Sequence, residues 1–335
     1  MGRNITLVSV IIPCINEERY IGKCLDSLVS QDYPKEKMEV FVVDGMSEDR
    51  TREVINKYVE KYSFFKLLDN PKKFTPFALN TGIRNSKGEI IIRMDAHATY
   101  IKDYISKCVK YLKEYNADNV GGTVKIIPKT NTLIDKTIAF SLSNPFGAGN
   151  AYYKSGYSGQ PKWVDTVFGG CYKREVFEKI GLFNENLIRN QDFEFNLRLR
   201  RAGGKILLVP NIVSYYYPKS NLRDFFMHNF KDGFSITHPL KLGVRAFSWR
   251  HLMPLIFVLG LTGTGILGIF FPIFVWFFLV ILGLYLLVNF YFSCEISIKE
   301  KNWKYFFVMP TVFAARHIGY GLGSIWGLIL IIFKK

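Results

Sequence analysis

The chain of 335 residues carries 44 Lys and Arg against 28 Asp and Glu, a net charge of +16, and 49% of its residues are hydrophobic. Six of the basic and two of the acidic side chains lie beyond residue 251, so a polar domain precedes an apolar one, within a length that allows about two domains. No Arg/Lys run with interleaved aromatics and no zinc-finger or helix-turn-helix spacing is present, which sets nucleic acid aside and leaves an anionic leaflet or a phosphate-bearing substrate as partners of the basic charge.

In chain order, residues 6 to 12 are rich in Val and Ile and predict a parallel strand covered on both faces, ended by Pro13. Asn16-Glu17-Glu18 then opens a helix whose apolar positions Ile21, Cys24, Leu25 and Leu28 recur at helical spacing. A strand over Val40 to Val43 runs into Asp44-Gly45, and a helix is expected from about Thr51 to Tyr62. A short strand near Lys66 to Leu68, a helix around Pro76 to Arg84, and the apolar run Glu89-Ile90-Ile91-Ile92 follow. This alternation predicts right-handed crossovers and a doubly wound parallel sheet, with Pro13, Asp44 and Asp95 at carboxyl ends of strands. In such sheets the ligand crevice lies beyond those ends. Arg93-Met-Asp-Ala-His-Ala98 therefore places a carboxylate, Asp95, and an imidazole, His97, where they can hold a divalent cation against a phosphorylated substrate; a strand leaving into solvent on polar residues is the other reading.

Further on, Asn144 to Tyr153 is rich in Gly and aromatics and reads as a flexible loop, and Gly169-Gly170 lets backbone approach a ligand closely or makes a tight bend. Asp192, Phe195 and Leu199 fall on one helix face, with Glu194 near them and Arg198, Arg200 and Arg201 at its end as solvated or lipid-phosphate contacts. Leu222 to Phe234 reads as an amphipathic helix, either interfacial or core-facing. Residues 252 to 293 contain no charged side chain, enough for two crossings with a turn at about Pro272. A third apolar segment, from Tyr305 to Phe333, contains Arg316 and His317, which are costly in lipid and functional candidates by default, for example toward a lipid phosphate. Gly263-Thr-Gly-Ile-Leu-Gly268 has no strand before it and is a membrane-helix packing feature, not a dinucleotide fingerprint. Lys241, Arg245, Arg250, Lys299, Lys301 and Lys304 place the first domain in the cytoplasm. Five scattered cysteines fit neither a disulfide framework nor a metal site and point to a reducing compartment, and the N-terminus lacks a signal-peptide core.

Val10-Ile-Ile-Pro-Cys-Ile-Asn-Glu-Glu18, Val42-Val-Asp-Gly-Met-Ser-Glu-Asp-Arg-Thr51, Ala78-Leu-Asn-Thr-Gly82, Arg93 to Ala98, Trp163-Val-Asp-Thr-Val-Phe-Gly-Gly-Cys-Tyr172 and Asn190-Gln-Asp-Phe-Glu-Phe-Asn-Leu-Arg198 together resemble, in order and spacing, family 2 glycosyltransferases. The Asp-Ala-His-Ala form is similar to the succinoglycan glucosyltransferase (ExoA-like) branch. The resemblance implies an α/β fold of the GT-A type, Rossmann-like with a mostly parallel sheet and helices on both faces, over residues 1–221. An amphipathic interfacial helix and linker over 222–251 is expected next. An all-α membrane domain over 252–335 follows, with two to three helices at about 252–271, 273–293 and 305–333.

The same resemblance implies an inverting transfer of a sugar, glucose from UDP-glucose in the favoured case, to a lipid-linked saccharide acceptor, by a multi-pass protein of the cell membrane in contact with membrane lipid. Asp192 is the implied catalytic base, with Gln191 replacing the family's Glu. Pro13, Asn16, Glu17, Asp44, Asn80 and Asp95 are implied donor contacts, Asp44 on the nucleobase and Glu17 on a ribose hydroxyl. Gly169 and Gly170 are implied on the acceptor side. Asp95 and His97 are implied metal ligands; imidazole is softer than carboxylate and favours Mn2+ over Mg2+, and a His97 that supports the site from behind is the alternative. Turn, cap and helix-dipole roles compete with the binding roles of Asp44, Asn80 and Glu17. His228-Asn-Phe-Lys-Asp-Gly233 stands where processive members carry Gln-X-X-Arg-Trp, which argues against polymer synthesis. A polyprenyl-phosphate sugar synthase and a non-catalytic nucleotide-binding membrane module are the alternatives.

Overall fold

The structure, a computed structural model, describes residues 5–149, 151, 153–154, 157–237, 239–240 and 249–333. The chain divides into two compact units, Met1–Lys125 with Gly156–Tyr216, and Ile126–Ser155 with Tyr217–Lys335. Residues 126–155 thus belong with the C-terminal unit, which a linear division at residue 221 does not anticipate.

The first unit is built on one mixed sheet in the order β3-β2-β1-β4-β8-β6-β9-β5, with β7 pairing β9. Strands β1 (Val8–Cys14), β2 (Met38–Asp44), β3 (Phe65–Asp69) and β4 (Ile90–Arg93) run parallel, with Cys14 beside Asp44 and Ile11 beside Arg93. The remaining strands, β5 (Ala98–Tyr100), β6 (Asn119–Ile126), β7 (Lys162–Trp163), β8 (Cys171–Lys173) and β9 (Ile206–Tyr216), add antiparallel pairings, including β4 with β8 and β5 with β9. The parallel part therefore ends at β4, and the curled half that follows brings β8 and β9 to the strand ends that carry the motifs.

Every residue of β2 is buried, so both faces of the sheet are covered, as the unbroken Val/Ile run predicts. Val8, Val10 and Ile12 pack with Ile21, Cys24, Leu25 and Leu28 of α1 (Ile21–Val29). On the other face, Ile11 meets Gly82 of α3 (Thr75–Asn85), where an added Cβ would lie 2.5 Å from the Ile11 side chain. Burying each aliphatic side chain of that α1 stripe contributes roughly 1.5–3 kcal/mol. The first helix starts at Ile21 and not at Asn16, because Asn16 is left-handed, with φ 53°. α2 (Thr51–Lys61), through Ile55, and α4 (Tyr104–Glu114), through Ile105, Cys108 and Leu112, join the core that α1 covers.

In the second unit, α5 (Leu133–Ser143) and α6 (Pro145–Ala148) precede α9 (Leu222–Thr237), α10 (Trp249–Phe270), α11 (Pro272–Lys299) and α12 (Lys304–Phe333); α7 (Arg174–Ile180) and α8 (Gln191–Arg201) belong to the first unit. α10, α11 and α12 are each long and apolar enough to cross a membrane. α9 and α12 touch backbone to backbone. An added Cβ on Gly233 would lie 1.9 Å from the Tyr320 carbonyl, and one on Gly323 would lie 1.9 Å from that of Phe230, the close approach that small residues permit. The buried residues of α9 are Phe225, Asn229, Gly233, Ile236 and Thr237, while Leu222, Phe226, Phe230 and Phe234 are half-buried.

Arg316 donates to Gly147 O and, over 3.1 Å, to Asn229 Oδ1. His317 sits 3.1 Å from Phe146 O and 3.2 Å from the Tyr285 hydroxyl. Both side chains satisfy backbone and polar groups inside the second unit. Lys241 and Arg245 of the proposed linker, Lys334 and Lys335, and Asn150 and Tyr152 of the 144–153 segment lie outside the described residues.

All five cysteines are free thiols, and Cys14, Cys24, Cys108 and Cys171 are buried. Burial, reinforced by nearby Asp44 for Cys14 and Asp95 for Cys24, pushes those two thiols above their ordinary range, and burial with the neighbouring Cys108 does the same to Cys171. A water-soluble maleimide should therefore label none of these four in the folded protein and all four after denaturation. Rapid labelling of any of them in the native state, read by mass spectrometry, would contradict this packing.

Candidate active site

The motif residues of the first unit meet at the carboxyl ends of β1, β2 and β4. Asp95 lies two residues beyond the end of β4, and its backbone N–H donates to the Tyr100 hydroxyl over 2.7 Å. Its Oδ1 accepts from Arg93 Nη2 at 3.2 Å, with 14% of the side chain exposed. Two residues on, His97 Nδ1 stands 3.0 Å from Glu17 Oε1, and the imidazole lies edge-on to the Tyr216 ring, centroids 5.2 Å apart. Because the carboxylate accepts, the proton on this bond belongs to Nδ1. Glu17 itself is fixed by its N–H donating to Thr51 Oγ1 over 2.7 Å.

Among the described residues, no three or more His, Cys, Asp or Glu side chains converge into a metal cage. The donor set is one carboxylate and one imidazole, which fits a cation that takes its other ligands from a diphosphate and water. The Glu17 carboxylate on the far nitrogen of His97 is the arrangement that metal-ligating imidazoles carry, since it fixes the tautomer and raises ring basicity.

Asp192 lies in the first turn of α8, behind the left-handed Asn190. Its Oδ1 accepts from Phe193 N at 2.8 Å and its Oδ2 is 3.5 Å from Arg93 Nη1, with 36% of the side chain exposed. Arg93 thus stands between Asp95 and Asp192. Burial works against its charge, but the two carboxylates outweigh that and its pKa is raised, so it stays protonated. Glu194, the other acid of the helix, accepts from Arg198 with both of its oxygens, at 2.7 and 3.1 Å. Arg198 in turn donates to Leu182 O at 2.8 Å and to Ile180 O, so it ties loops together instead of meeting solvent or lipid.

Gly169 and Gly170 have φ of 67° and 110°, and a Cβ on Gly169 would sit 2.8 Å from Arg93 O. Here glycine is required by conformation and by the pressing of the loop onto β4, where Arg93 N–H donates to Gly170 O over 3.0 Å. The bend brings the 169–170 segment against the strand end that carries Asp95.

Two of the implied donor-side residues have structural partners inside the fold. Asn80 is buried, and its amide is engaged within the fold: Nδ2 donates to Phe183 O and Glu185 Oε1 over 2.9 and 2.8 Å, and Oδ1 accepts from Phe183 N at 3.0 Å. It staples α3 to the 183–185 turn. Asp44 is 0% exposed. Its Oδ1 accepts from Ser47 Oγ (2.5 Å) and Cys14 Sγ, and its Oδ2 from Ser47 N and Arg52 Nη1 at 3.0 and 2.8 Å. In this structure it holds the turn after β2. That turn is cross-linked to the β1 end, since Asn16 N donates to Ser47 Oγ at 2.8 Å and Asn16 Oδ1 accepts from Glu48 N at 2.9 Å. Pro13 is half-buried in β1, beside Val43. Sequence reasoning missed Arg93 and Tyr216; the signal for Arg93 was a charge closing an otherwise apolar strand, whereas Tyr216 gave none.

A family model described as glycosyl transferase family 2 matches residues 9–181. A dolichyl N-acetyl-alpha-D-glucosaminyl phosphate 3-beta-D-2,3-diacetamido-2,3-dideoxy-beta-D-glucuronosyltransferase of Methanococcus voltae is 33% identical over 75% of this chain and 79% of its own length. The succinoglycan biosynthesis protein ExoA of Rhizobium meliloti is 28% identical over 67% of each. Among solved structures, a mannosyltransferase of Pyrobaculum calidifontis in complex with GDP-Man and Mn2+ superposes with a TM-score of 0.60 at 17% identity, covering 99% of this chain and 89% of that one. At that identity the likeness concerns the fold.

Proposed function

The chain belongs to glycosyltransferase family 2, and on that premise we propose that it transfers a sugar from a nucleotide-sugar donor to a lipid-linked saccharide at the cytoplasmic face of a membrane. The observation that carries this reading is the meeting, at one end of the sheet, of the Asp95–His97 donor set with the Asp192 carboxylate, 3.2 and 3.5 Å from the same guanidinium. Asp192 takes the proton of the acceptor hydroxyl as that oxygen attacks the anomeric carbon. The bond from that carbon to the diphosphate breaks with inversion. Asp95 and His97 would hold a divalent cation, whose chemistry is to neutralise the charge gathering on the leaving diphosphate. Glu17 keeps His97 in the tautomer and orientation that this requires. Gly169 and Gly170 border the acceptor side.

The acceptor class is supported by the lipid-phosphate saccharide in the archaeal relative's name and by three helices able to cross a membrane. The cytoplasmic orientation is supported by Arg250, Lys299, Lys301 and Lys304 at one set of helix ends. UDP-glucose is the first donor to test.

Incubating the detergent-solubilised protein with a panel of nucleotide sugars and extracted lipids should release nucleoside diphosphate from one of them. A chelator should stop the release, and Mn2+ should restore it better than Mg2+ if the His97 imidazole is a ligand. A sugar-phosphate lipid as product would instead identify a polyprenyl-phosphate sugar synthase. Failure to consume any donor with lipids present would remove the enzymatic reading of this site.

A further inference from the structure

Arg93 is a charged side chain to which no motif assigns a role. It closes β4, with 11% of its side chain exposed, Nη2 3.2 Å from Asp95 Oδ1 and Nη1 3.5 Å from Asp192 Oδ2. Its Nε and Nη1 have no hydrogen-bond acceptor among the described residues. A buried guanidinium with unmet donors is costly, so the pull of the two carboxylates is what keeps it there. Its backbone is fixed independently by the pairing with Ile11 in β1 and by the bond to Gly170 O.

Asp192 needs such a tether. Asn190 before it is left-handed, and among the described residues Asn190 Nδ2 and Gln191 Oε1 are buried without a hydrogen-bond partner. The start of α8 is therefore loosely tied at the place where its carboxylate has to point, and Phe193 N, one residue away on the same helix, cannot anchor it to the sheet. The pairing with Arg93 joins α8 to the strand end that carries Asp95, across 99 residues of sequence.

We propose that Arg93 is the positioning residue of the transfer, its guanidinium bridging the donor-side carboxylate Asp95 and the base Asp192 so that the base stands in register with the donor. This inference rests on the glycosyltransferase reading of the site. Two carboxylates, one near each terminal nitrogen of a single guanidinium, suit arginine; a lysine presents a single point charge. A misplacement of about 1 Å between reacting groups can cost about 100-fold in rate.

The test uses the full chain in detergent with Arg93→Met, Arg93→Lys and Arg93→Ala. Turnover should fall about 100-fold in the Met variant, with little recovery in Lys, while the donor KM and the affinity for nucleoside diphosphate change far less. Added guanidinium ion should restore part of the turnover of Arg93→Ala without raising its Tm. Unchanged turnover in the Met variant would overturn the proposal. So would a parallel fall of turnover, donor affinity and Tm that guanidinium leaves untouched. If the unaltered protein consumes no donor, the glycosyltransferase reading fails by itself, and the bridge is then decided by Tm in a double-mutant cycle of Arg93→Met with Asp192→Asn. Additivity overturns it and coupling supports it.

Discussion

Asp192→Asn should lower turnover by about 100- to 10,000-fold, the range that a positioned general base contributes, while nucleotide-sugar binding persists. The amide keeps the shape and can still accept from Phe193 N, which contacts Oδ1 at 2.8 Å, so the helix start is retained. What is lost is the ability to take a proton and the charge that faces Arg93. Turnover and donor affinity measured on the same preparation separate the two effects. A variant with full turnover would remove Asp192 from the role of base.

Asp44→Ala should destabilise the first unit by about 3 kcal/mol, the lower end for breaking a buried ion pair, or roughly 6–12 °C in Tm for a unit of this size. The lower end applies because Arg52 is partly exposed and keeps Asp69, at 2.8 Å, as a partner. Removing the carboxylate leaves Ser47 N without its acceptor and loosens the turn that Asn16 and Glu48 share. Nucleotide affinity should fall together with Tm. Asp44→Asn gives the contrast: a variant with unchanged Tm and lost nucleotide binding would put Asp44 in direct contact with the base, as the family resemblance implies.

The residues whose partners the sequence did not announce have one thing in common. Asp44 and Asn80 are polar side chains in motifs, and a motif states which residue stands at a position without stating what it touches. Asn80 spends its amide on Phe183, 103 residues away, and nothing near Asn80 in the chain announces that. Glu17 and His97 were both identified as site residues, yet their pairing across 80 residues turns a ribose contact and an uncertain ligand into a carboxylate–imidazole unit. The same holds for residues 126–155, whose packing against the C-terminal helices, such as Phe146 and Gly147 on His317 and Arg316, could not be read from a segment rich in glycine and aromatics.

The sequence by itself determined the two-part organisation, the alternation of strands and helices up to β4, the apolar helices and the family. Each of these is written locally, in hydrophobic periodicity, charge distribution and short motifs. Tertiary structure alone decided which polar groups are spent on the fold and which face the chemistry, because a buried donor or acceptor takes whatever partner the packing brings to it. Arg93 is the clearest case: in the sequence it is a charge at the end of Ile90-Ile91-Ile92, and in the fold it stands between two carboxylates because β4 ends where α8 begins.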